Sequence, residues 1–135
     1  MKILLPGMVP PSPNELRRKY RNPHVYAKLR DDWQKAILVM TPLDDRNEMK
    51  AKGQKNRMIV QIEIHNSRRY DDDNLAGAQK PILDALKNIG FIHDDSPTWL
   101  RVLYPIYFRS TRKDKYTEID IWSDWQRGGD RELTA

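Results

Sequence analysis

The chain has 135 residues, 39% hydrophobic and 32% charged, enough for one domain around one core and not for two. No apolar run approaches the ~20 residues of a membrane span, and the lack of cysteine excludes disulfides, thiol nucleophiles and cysteine-ligated zinc. A net charge of +5 and a pI near 9.5, despite 19 acidic residues, point to a polyanionic partner, and the short apolar start soon followed by prolines reads as cytoplasmic.

In chain order, Lys2 to Leu5 reads as a short strand ended by Pro6 and Gly7. Pro10, Pro11, Ser12, Pro13 and Asn14 predict an ordered turn or extended loop, because proline fixes φ and denies helix. A basic segment follows, with Arg17, Arg18, Lys19, Arg21, Lys28 and Arg30. Tyr26, Leu29, Trp33, Ala36, Ile37 and Met40 recur at three- and four-residue steps, which predicts an amphipathic helix over residues 25–40. Residues 41–54 read as a polar connection. Residues 57–65 alternate, with Met58, Val60, Ile62 and Ile64 facing one way and Gln61 and Glu63 the other, as in a half-buried strand.

A second helix is predicted over residues 75–88, on the stripe Leu75, Ala78, Ile82, Leu86 and Ile89, with Gly90 as its stop. Pro81 would press on the carbonyl of Gly77, so the spacing predicts a late start or a kink at residues 76–79. Residues 99–109 and 116–122 read as two strands joined by a basic turn, and Trp33, Trp99 and Trp122 as core. The expected fold is α+β: a single domain over residues 1–125, with a mixed β-sheet of about four strands and two main helices packed on it. Residues 126–135 are expected to form a flexible tail.

Asp71, Asp72 and Asp73 follow the alternating strand, and Asp94 and Asp95 follow the second helix. Gathered carboxylates repel, and a fold that collects them commonly does so around a hard divalent cation, which takes oxygen ligands. Both groups are expected at one edge of the sheet if the helix returns only part of the way. The bland alternatives are a solvated loop capped by Asp73 or Asn74, a turn at Asp94 and Asp95, and an i,i+4 pair between Lys80 and Asp84.

Arg69-Tyr70-Asp71-Asp72-Asp73-Asn74-Leu75, then Lys80, then Asp84-Ala85-Leu86, Gly90 and Asp94-Asp95, resembles the signature of RusA-type Holliday-junction endonucleases of the phage and prophage branch. The Pro10-Pro11-Ser12-Pro13-Asn14 turn resembles that family's N-terminal turn, so the likeness runs from Pro10 to Asp95. It implies a homodimer that uses Mg2+ or Mn2+ to nick two strands of a four-way DNA junction symmetrically, in recombination and repair. By resemblance, Asp71, Asp73 and Asp95 take the places of the essential acids, and Asp94 joins them as a metal ligand. Lys80 takes that of the active-site lysine. One departure is that additional residues, within Ala76, Gly77, Ala78 and Gln79, precede Lys80. On this reading Arg17, Arg18, Arg21, Arg69, Tyr70 and Lys80 contact DNA. The competing readings are a prophage DNA-binding protein that no longer cuts, and a phosphohydrolase with a strand-end Asp-x-Asp.

Overall fold

The sheet is assembled around β2 (Met58–Asn66), whose alternation sends Met58, Val60, Ile62 and Ile64 into the core. The computed structural model describes residues 1–124, apart from the side chains of Asp72 and Asp73. The expected tail over residues 126–135 lies outside the described residues. β5 (Tyr116–Ser123) pairs antiparallel with β2 from His65 opposite Tyr116 to Met58 opposite Ser123. β1 (Lys2–Pro6) pairs antiparallel with β5 on its far side. The other edge of β2 is shared by two short parallel strands, β3 (Leu100–Val102) at its start and β4 (Ile106–Arg109) at its end. The result is a five-stranded mixed sheet in a single α+β domain. The strand expected over residues 99–109 is split because Pro105 has no N–H to give the ladder.

Among the described residues five helices accompany the sheet: α1 (Pro13–Lys19), α2 (Pro23–Val39), α3 (Leu43–Lys55), α4 (Asp72–Gly77) and α5 (Lys80–Asn88). α2 and α5 supply Trp33, Ile37, Ile82, Ala85 and Leu86 to a core completed by Ile3, Leu5, Ile119 and Ile121 from the sheet. Two of the five depart from the sequence reading. Pro13 starts a helix instead of preventing one, because at the first helical position its missing N–H would be unbonded anyway. Ser12 Oγ caps that turn, accepting from the Glu15 N–H at 3.2 Å. The expected polar connection at residues 41–54 is also helical. α3 buries only Met49 and Gly53, so it carries no apolar stripe to read. Asp44 and Asp45 in its first turn, Lys52 and Lys55 in its last, and a Glu48–Lys52 ion pair at 2.9 Å support it instead.

The predicted kink is present, since α4 ends at Gly77 and α5 begins at Lys80. Gly77 lets α4 approach α1: a Cβ there would lie 2.8 Å from Pro13 Cγ. Gly90, at φ +85°, ends α5 as predicted. Its N–H bonds Lys87 O at 3.1 Å and the Phe91 N–H bonds Leu86 O at 3.0 Å, the Schellman pattern.

α4 and α5 together carry the chain back along the whole of β2. The loop after α5 therefore ends beside the start of that strand, where the Met58 N–H bonds Trp99 O and Arg57 Nε bonds Pro97 O, each at 2.9 Å. Asp71 follows the opposite end. Nine residues of strand at ~3.3 Å each separate these two ends by roughly 25–30 Å. The expectation that both acidic groups gather at one edge is thus corrected: the helical return is complete, not partial. No helix among the described residues is long and apolar enough to cross a membrane.

Candidate nucleic-acid interface and acidic site

At the C-terminal end of β2, residues 67–70 lead out of the sheet to Asp71, the N-cap position of α4. The Asp71 carbonyl accepts from the N–H groups of Asn74 (2.8 Å) and Leu75 (3.0 Å), while its side chain makes no cap bond. The cap is therefore Asp71 in place of the expected Asp73 or Asn74, and its carboxylate stays exposed. The intervening residues 67–70 also keep this acid away from the strand end, where a strand-end nucleophile would sit. The side chain of Asp73, expected beside Asp71 at the metal, lies outside the described part of the structure, as does that of Asp72.

Asp71 opens into a cleft of about 550 Å3, lined in addition by Asn74, Glu15, Arg68, Arg69, Arg112 and Lys115. Arg112 and Lys115 arrive on the β4–β5 turn, which returns to this end of β2; the Ser110 N–H bonds Asn66 O at 3.0 Å. The turn was legible as basic, but its place opposite Asp71 depends on the β2–β4 register, which sequence spacing does not reveal. Arg68 and Arg69 are exposed beside the acid.

Tyr70 sits differently from its neighbours. It is 8% exposed, donates its hydroxyl to the Pro10 carbonyl, and accepts from Asn66 Nδ2 at 3.1 Å. Burial, opposed by the Asn66 hydrogen bond, pushes its hydroxyl up to about 12. Tyr70 thus ties the proline turn to the acidic loop with its hydroxyl engaged inside the fold, while the residue still lines the cleft that holds Asp71.

Lys80 opens α5 and is exposed, with Nζ 5.4 Å from the centroid of the Tyr26 ring. The expected Lys80–Asp84 pair is replaced: Asp84 accepts the hydroxyl of Tyr26. Burial first, and then Asp84, hold the Tyr26 hydroxyl well above its ordinary range. Lys80 lines a second cleft that adjoins the first, with Tyr20 bordering both. Arg17, Arg18 and Arg21 are exposed on and just after α1, and Arg17 is anchored on Asn14 Oδ1. Tyr20 escaped the sequence reading because an isolated tyrosine in a basic segment carries no periodic signal, and Tyr26 was read only as part of the apolar stripe of α2.

At the other end of β2, Asp94 pairs with Lys87 at 3.2 Å, and Lys87 holds its carboxyl below the usual range. Asp95 is exposed. His93 Nδ1 lies 3.0 Å from Gln54 Oε1 and its ring packs on Trp99. A single chain therefore does not bring Asp94 and Asp95 to Asp71, and among the described residues no three acidic or histidine side chains converge. The exposed carboxylate of Asp71, in a cleft with room for water and phosphate, suits a hard cation, which needs only one or two protein carboxylates when a phosphate supplies further oxygens. No protein-family model matches the chain, and no curated protein matches it.

Proposed function

We propose that this protein is a metal-dependent endonuclease acting on branched DNA, a four-way junction above all, in recombination or repair. The observation that carries the reading is the exposed Asp71 carboxylate in a cleft that four cations, Arg68, Arg69, Arg112 and Lys115, share with one further acid, Glu15. Cations alone would hold a phosphodiester; an acid set among them gives a place for a divalent ion at the same phosphate. Asp71 and Asp73 would hold Mg2+ or Mn2+ there. Such an ion makes a bound water more acidic and offsets charge on the phosphate. Arg69 and Arg112 would grip the phosphate oxygens on either side, and Lys80 would offset charge that develops as the bond breaks.

The third acid comes from a second copy. A two-fold axis across the middle of β2 would set the Asp71 end of one copy against Asp94 and Asp95 of the partner subunit, twice over. Two composite sites would result, one for each strand to be nicked. The second reading, a DNA-binding protein that does not cut, is favoured by one observation: the separation of the two acidic groups within one chain. The deciding experiment incubates the protein with a synthetic four-way junction, with and without Mg2+. Paired symmetric nicks that need the metal support the nuclease; tight junction binding without nicks under Mg2+ or Mn2+ leaves the binding reading alone standing.

A further inference from the structure

The cleft next to the acidic one has a different chemistry. It measures about 600 Å3, within the range of sites that enclose small molecules. Tyr20, Tyr26 and Leu16 give it aromatic and apolar walls, and Arg17, Arg21 and Lys80 give it three cationic groups; none of the described residues lining it is acidic. Two of these groups are held in place. The Tyr26 hydroxyl is bonded to Asp84, with the Lys80 ammonium near its ring, and Arg17 is bonded to Asn14. Aromatic walls beside clustered cations match a flat, π-faced ligand joined to an anionic group.

We propose that this cleft receives one unstacked nucleotide of the DNA strand, its base against Tyr20 and Tyr26 and its phosphate against Arg17 and Arg21. The inference rests on the reading that this face meets DNA. Tyr20 borders both clefts, so a strand with a phosphate at Asp71 can continue directly into the second. A base stacked and paired in a duplex cannot enter, whereas a base at a branch point is already partly free, and the cost of extracting it is lower. The cleft would therefore distinguish branched from continuous DNA without reading sequence.

The test uses the full-length protein without divalent metal and a four-way junction carrying 5-iodouracil at the branch nucleotides. A duplex of the same sequence serves as control. After irradiation, mass spectrometry locates the adducts. Adducts on Tyr20 or Tyr26 with the junction and not with the duplex are expected. Adducts confined to other residues, or equal on both DNAs, overturn the proposal. In parallel, Tyr20→Leu should reduce the junction-over-duplex affinity ratio by roughly tenfold while Tyr20→Phe keeps it, since stacking needs the ring and not the hydroxyl. An unchanged ratio in Tyr20→Leu also overturns it. Failure of the wild-type protein to bind either DNA would remove the nuclease reading and this inference together, whereas binding without these adducts removes only the inference.

Discussion

Asp71 and Lys80 stand at the starts of successive helices and meet opposite surroundings, the acid among cations and the cation against a tyrosine ring. Asp71→Asn keeps the shape and removes the charge that a hard cation needs, so metal-dependent cleavage should fall by at least ~100-fold while junction affinity stays within a few-fold. Lys80→Ala should slow single-turnover cleavage on the order of 10- to 100-fold with a modest loss of binding. Wild-type rates in both variants would remove the assigned site. A purely structural residue offers a contrast: a Cβ on Gly53 would overlap the Phe91 carbonyl oxygen. Gly53→Ala should cost about 1–3 kcal/mol, read as a lower urea midpoint. Asp71 was legible in the sequence because clustered like charge needs a reason. Tyr70 was not, since what buries it is Pro10, far away in the chain.

Among the elements, β2 and β5 place Glu63 directly opposite Glu118 on the sheet face away from the core. The hydrogen bond with Glu63, then burial, raises the Glu118 carboxyl above its ordinary 4.5. The folded protein thus holds that proton to higher pH than the unfolded chain, so the pair weakens the fold most at neutral pH and is relieved as pH falls. Glu118→Gln should therefore stabilise the protein at pH 7 by about 0.2–1 kcal/mol in urea titrations. His65, stacked between Phe108 (4.6 Å) and Tyr116 (3.9 Å), acts in the other direction. Burial lowers it below 6.5 against the pull of Glu118, so its ring is neutral at pH 7 and its 3.9 Å approach to Glu63 is not then an ion pair. Its contribution is present above 6.5 and lost as pH falls through the folded value. In the Glu118→Gln background the urea midpoint should decline as pH falls below 6.5, and adding His65→Phe should flatten that decline. The strand itself was legible from its period of two. α3 was not, because a helix held by charge pairs and two buried positions looks like a polar loop.

For the molecule as a whole, the helical return along β2 decides how a site can be completed. The types of β2, α2 and α5 were readable from periodicity, but nothing in the spacing of Asp71 and Asp95 states that they end up at opposite ends of one strand. The proposed two-fold assembly makes a direct prediction. Asp71→Asn and Asp95→Asn chains, each inactive alone, should regain single-strand nicking when mixed, because one of the two composite sites in a mixed pair is intact. If each variant is inactive and mixtures stay inactive, each chain builds its own site and the shared arrangement is wrong. If Asp95→Asn alone cuts normally, the loop after α5 has no part in the chemistry.

β5 lies between β1 and β2 in the sheet, yet among the described residues it is the last strand in the chain. Until it leaves the ribosome, β1 has no neighbour to bond, and Ile3 and Leu5 have no finished sheet to belong to. The growing chain must carry an unpaired apolar strand until β5 has been made. Closure of the sheet thus waits for β5, and refolding from urea should fall in the millisecond-to-second range typical of domains closed by distant strand pairs.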